Sequence, residues 1–156
     1  MLNQVLNFGW TILAFFPVCL YWWNQGIDWT FYAFIILSLL AGWLPQKVYA
    51  QLSLSDDPEA YKNLGVNIIR RFTQDGGFKR NKLQGMRDYL KTIAMFERYH
   101  FICLVFFKCS AVYACLNEHI VIGLVIFVAN LIYNVCPILL QQYNRLRIVN
   151  ILTRLQ

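Results

Sequence analysis

The sequence predicts an all-α membrane protein: four transmembrane helices, paired as two hairpins, with a cytoplasmic amphipathic helix between them. Three observations carry this fold class. The 156 residues are 58% hydrophobic and only 14% charged, against about 25% charged in an ordinary globular chain. Four apolar stretches approach the roughly 17–25 residues that a membrane crossing needs. The 14 Lys and Arg avoid the short connections between those stretches and gather elsewhere. The length suits one integral membrane domain over residues 1–156.

The first predicted span, 5–23, carries Asn7 and Pro17 and ends in Tyr21-Trp22-Trp23, an interfacial aromatic belt. No basic stretch precedes it and no small-x-small site follows, so it is expected to stay in the mature chain. The second span, 28–44, is bracketed by Trp29 and Trp43. The third, 93–116, contains Glu97, Arg98, His100 and Lys108. The fourth, 120–140, lies between Asn117-Glu118-His119 and the polar run Gln141 to Arg147. The loops Asn24 to Asp28 and Asn117 to His119 hold no Lys or Arg, whereas Lys47 to Lys91 holds nine. Basic segments stay inside, so both termini and the middle loop are expected on the cytoplasmic side of an inner membrane.

Within the middle loop, Asp57 reads as a helix cap ahead of Pro58 at the first helical position. Tyr61, Leu64, Gly65, Ile68, Ile69 and Phe72 then recur at helical spacing, predicting one interfacial amphipathic helix over 58–72. Asp75-Gly76-Gly77 is expected to break it, and a second helix to start near Asn81 and run into span three. Basic residues flank apolar spans instead of forming a module of their own, which argues against nucleic acid as a partner. The five Cys all lie in apolar segments without C-x-x-C spacing, so they read as buried small residues, and no metal site is predicted.

The most informative stretch is Asn134 to Arg147. Asn130, Asn134, Pro137, Gln141 and Asn144 follow one another at four, three, four and three residues, on one helical face. Such a face is unfavourable in hydrocarbon unless it lines something wet or meets partners. On span three, Glu97 and His100 are three residues apart. A carboxylate can orient an imidazole, and an imidazole can take a proton from a hydroxyl. The alternative is structural: Glu97 pairs with a neighbouring cation and His100 hydrogen-bonds a backbone carbonyl. In an antiparallel hairpin turning near Glu118, His100 is expected level with Pro137, Cys103 with Asn134, and Lys108 with Asn130. Pro137 also frees the Tyr133 carbonyl. Lys108 lies within about 20° of Glu97 on the helical wheel; it reads either as a cation inside a substrate cavity or as a snorkelling anchor. Arg145 and Arg147 read either as positive-inside anchors or as a seat for phosphate or carboxylate. Tyr143 and Asn144 divide in the same way between anchoring and substrate contact.

Glu97-x-x-His100, followed by Asn134-x-x-Pro137-Ile138-x-x-Gln141-x-Tyr143-Asn144-Arg145-x-Arg147, resembles the glycosyl-4,4'-diaponeurosporenoate acyltransferase-like family of small membrane proteins. Tyr61-Lys-Asn-Leu-Gly65, Ile69-Arg-Arg71 and Asp75-Gly76 extend the likeness over most of the chain after Trp43. Thr92, Phe101 and Gln142 stand where the family often carries Glu, Trp and a basic residue. The resemblance implies acyl transfer to a sugar hydroxyl of a lipid-like glycoside, with matching positions at Glu97, His100, Asn134, Gln141, Tyr143, Asn144 and Arg145.

The expected function is therefore a membrane acyltransferase that moves a fatty acyl group to a hydroxyl of a lipid or glycolipid, of carotenoid-glycoside type. His100 would be the base and Glu97 would orient it. Asn130, Asn134, Gln141, Tyr143, Asn144, Arg145, Arg147 and Lys108 would contact substrate, with Asn134 or Asn144 donating to the oxyanion. No cofactor is expected beyond an acyl donor such as acyl-CoA or a phospholipid. Membrane lipids are the expected partners, with assembly as a homo-oligomer or in a larger membrane complex. The rival reading is a non-catalytic small membrane subunit that binds lipid, pigment or a larger partner protein.

Overall fold

The computed structural model describes residues 2–72 and 83–154, and the side chains of 8–70 and 85–154. Every regular element among the described residues is helical: α1 (Leu2–Gln25), α2 (Trp29–Gly42), α3 (Gln46–Gln51), α4 (Pro58–Asn63), α5 (Val66–Phe72), α6 (Leu83–Leu116), α7 (Ile120–Asn130), a π segment (Leu131–Val135) and α8 (Cys136–Arg154). Two of these stretches, Gly85–Leu116 and Ile120–Arg154, are long and apolar enough to cross a membrane, by length and composition. Among the described residues, the expectation of four spans is thereby corrected to two. Helix α2 has 14 residues, short of the roughly 17 a crossing needs. For α1, the first side chains lie outside the described residues. Span three is the later part of a longer helix, described from Leu83 onward, in line with the helix expected to start near Asn81 and run into it. The predicted break at Asp75-Gly76-Gly77 lies outside the described residues.

The chain divides into two compact units, Met1–Trp43 with His100–Val135, and Leu44–Tyr99 with Cys136–Gln156. In the first unit, Asp28 caps α2 by accepting from the Phe31 N–H at 3.1 Å, satisfying one orphan donor of the first turn. The core collects Val18, Tyr21, Trp22, Phe107, Ala111, Ala114 and Ile126. Trp22 stacks on Tyr113 with centroids 5.6 Å apart, and its indole N–H donates to Ser110 Oγ at 3.0 Å. A buried Trp needs such an acceptor for its polar edge.

The hairpin from α6 to α7 turns at Asn117–His119, where the His119 N–H donates to the Ala114 carbonyl at 2.9 Å and Glu118 takes a left-handed φ of 65°. Small residues line the approach of the two helices. A methyl group added at Gly123 would meet Cys115 Sγ at 2.5 Å and the Ala111 carbonyl oxygen at 3.0 Å. That tight turn moves the register. Asn130 faces Leu104, and His100 faces Asn134, where the sequence predicted Lys108 and Pro137 as their respective neighbours.

The second unit holds the short helices. Asp57 caps α4, accepting from the Glu59 N–H at 3.0 Å, with Pro58 at the first helical position, as its sequence predicts. The single amphipathic helix over 58–72 is instead two helices, broken at Leu64-Gly65, where Gly65 has φ +81°. The break rotates the apolar stripe. Tyr61 and Val66 are buried, while Leu64 and Ile68 are exposed. Tyr61 and Val66 pack with Leu140 and Tyr143 in one cluster, and Met86, Ile93 and Ile148 form another.

Candidate functional site

In the first unit, the amide face closes into a chain of hydrogen bonds. The start is a backbone carbonyl: Asn130 Nδ2 donates to the Leu104 oxygen at 3.2 Å. Asn134 Nδ2 then donates to Asn130 Oδ1 at 2.8 Å. Asn134 Oδ1 lies 3.4 Å from His100 Nδ1. Asn130 and Asn134 are four residues apart on consecutive turns and are buried, at 3% and 0% exposure. Polar atoms so placed need partners, and the two amides satisfy one another.

The backbone takes part as well. Asn134 sits in the π segment Leu131–Val135, and Pro137 follows it without an N–H to give to the preceding turn. The His100 ring lies against the Tyr133 carbonyl. Its edge meets the Tyr133 ring, with centroids 5.6 Å apart, and the Tyr133 hydroxyl is 2.9 Å from Thr11 Oγ1. A π segment widens the helix locally and recurs at functional positions. Here it presents an amide and a carbonyl together to one imidazole.

The second unit holds a buried ion pair. Glu97 is 1% exposed. Its Oε2 accepts from Arg145 Nη1 at 2.6 Å and from Gln46 Nε2 at 3.3 Å. Arg145 Nη2 donates to Ser53 Oγ. Oε1 of Glu97 carries no hydrogen bond of standard geometry, although Gln142 lies against the carboxylate. Gln142 instead ties down the loop after α3: its Oε1 accepts from the Tyr61 hydroxyl at 3.1 Å and the Leu54 N–H at 3.4 Å, and its Nε2 donates to the Leu52 carbonyl at 3.4 Å. That loop forms one wall of an open cleft of about 430 Å³, lined by Ala50, Gln51, Ser53, Leu54, Ser55 and Asp56. Burial pushes the neighbouring Tyr49 phenol up, with Arg98 over its ring acting in opposition, so Tyr49 stays a neutral hydrogen-bonding group.

The predicted site residues therefore fall into separate groups. His100, Asn130 and Asn134 come together in one unit, and Glu97 and Arg145 in the other. Gln141, Tyr143 and Asn144 are buried in the second unit, with Tyr143 in its core. Arg147 is exposed, with its guanidinium 5.3 Å from the Tyr143 ring centroid. Lys108 is exposed and stands outside the amide chain. Sequence reasoning missed Leu104, Ser53, Gln46 and Gln142 as partners. The Leu104 contribution is a backbone oxygen that no side-chain pattern reveals. Among the described residues no group of His, Cys, Asp and Glu could hold a metal ion.

The family described as glycosyl-4,4'-diaponeurosporenoate acyltransferase matches residues 45–154, more than two thirds of the chain. No curated protein and no solved structure matches the chain significantly.

Proposed function

We propose, because this chain belongs to the glycosyl-4,4'-diaponeurosporenoate acyltransferase family, that it transfers a fatty acyl group to a hydroxyl of a lipid or glycolipid at the inner membrane. The observation that carries this reading within the chain is His100, held between the Asn134 amide and the Tyr133 carbonyl. In the reaction, His100 accepts the proton of the acceptor hydroxyl as its oxygen attacks the acyl carbonyl. A new C–O ester bond forms and the bond from the acyl carbon to the donor's sulfur or oxygen breaks. The proton then passes from the imidazolium to the departing thiolate or alkoxide, so atoms and charge balance. Donors of either kind fit, a fatty acyl thioester or a phospholipid.

Asn134 takes a different role from the oxyanion donor its sequence suggested. One amide hydrogen goes to Asn130, and the group is fully buried. The Glu97–Arg145 pair belongs to the second unit, where it fixes Ser53 in the cleft wall. Arg147, exposed beside Tyr143, is the better seat for a donor phosphate. The basic middle segment and both termini lie on the cytoplasmic side.

The test is acyl transfer by the purified full-length chain in lipid nanodiscs, with a fatty acyl thioester and glycolipid acceptors, read by mass spectrometry of the product ester. General-base catalysis contributes about 10²–10⁴-fold, so His100→Ala should lose that much. Undiminished turnover in His100→Ala removes the base and, with it, this mechanism.

A further inference from the structure

The amide chain has a direction, and the direction is fixed at one end by a group with no choice. The Leu104 carbonyl can only accept, so the Asn130 atom facing it is the NH₂. Asn130 therefore turns its oxygen to Asn134, which must answer with its own NH₂. Asn134 is left with its oxygen facing His100 Nδ1. The Tyr133 carbonyl, the ring's other partner, is also an acceptor. Both partners call for an N–H, and the ring nitrogen that faces the Asn134 oxygen is Nδ1. A neutral imidazole has one N–H, and the hydrogen bonds made by one nitrogen decide what the other is.

We infer that Asn130 and Asn134 are positioning residues that hold the His100 proton on Nδ1, so that Nε2 is the nitrogen that takes and returns the substrate proton. The first clause concerns the resting protein alone, while the second rests on the acyl-transfer reading. The two amides do for this histidine what a carboxylate does in a hydrolase triad, where the group behind the imidazole selects its tautomer. They do so without placing a second charge in hydrocarbon, where an ionised side chain is costly.

The experiment is nitrogen NMR of the full-length chain in nanodiscs, labelled with ¹⁵N-histidine, with His119→Gln used to assign the two rings. In the wild type at neutral pH, Nδ1 should show a bonded proton and Nε2 should show none. Asn134→Leu should move the proton population from mostly Nδ1 to mostly Nε2, and Asn130→Leu should produce a smaller shift in the same direction. A wild-type ring protonated on Nε2, or on both nitrogens, overturns the assignment, as does an unchanged tautomer in Asn134→Leu. The wild-type spectrum decides the tautomer even where a variant does not fold. Absence of acyl transfer alongside an Nδ1-protonated ring would sink the proposed reaction and leave the tautomer assignment standing.

Discussion

Glu97 and Arg145 show how differently a charge behaves once it is out of water. Both are largely buried, and their 2.6 Å contact is charge-assisted. Removing one partner strands the other, at about 3–5 kcal/mol. Arg145→Ala should therefore destabilise the chain by roughly that amount in chemical denaturation. Glu97→Met with Arg145→Met should recover most of it, because no charge is then left unpaired. If the double variant is as unstable as the single ones, packing and not charge explains the loss. That Glu97 and His100 share a helical face was legible from their spacing. Which partners each would take was not. Spacing along one helix says nothing of Gln46, Ser53 or the Tyr133 carbonyl, which reach these side chains from distant positions in the chain.

At the scale of elements, two features carry predictions. Pro137 withholds an N–H from the preceding turn, and the Tyr133 carbonyl is met by His100 instead. Pro137→Ala offers a competing donor. It should raise thermal stability, since proline in a helix interior is unfavourable by about 3 kcal/mol. It should also weaken the hold on His100 by about one hydrogen bond, ~0.5–1.5 kcal/mol, seen as a fall in acyl transfer. An equal or higher rate would show that the π segment is dispensable. Gly123→Ala cannot be placed without shifting Cys115 or the α6 backbone, and should cost about 1–3 kcal/mol in a thermal melt. The helices themselves were legible, as apolar runs and as the Asp57-Pro58 start. The hairpin register and the break at Gly65 were not. The register depends on the left-handed turn at Glu118 and the break on a left-handed glycine, and both are backbone choices that hydrophobic periodicity does not encode.

For the molecule as a whole, the surface speaks for a lipid solvent. Trp23, Trp29 and Trp43 are each more than 80% exposed, among many exposed Leu, Ile, Val and Phe. Soluble monomers rarely show contiguous apolar patches beyond a few hundred Å². The chain should aggregate when detergent is removed and recover in nanodiscs, and brominated lipids should quench its tryptophan fluorescence. Monodisperse protein without detergent or lipid would contradict a membrane location. Composition alone made this visible, with its low charge and high aromatic content. How many helices cross was less legible, because apolar length in a sequence does not say where a helix will stop.

Gln142 has a consequence for how the cleft is held open. Its primary amide offers one oxygen and one NH₂, the same pair of functions a peptide unit offers, and it spends them on the Leu54 N–H, the Leu52 carbonyl and the Tyr61 phenol. The loop is thus moored to α8 by a side chain that imitates a neighbouring strand, beside the bond from Arg145 to Ser53. A residue that lacks either half of that imitation would let the wall drift, and the cleft's shape is in this sense decided from α8 instead of from the residues that line it.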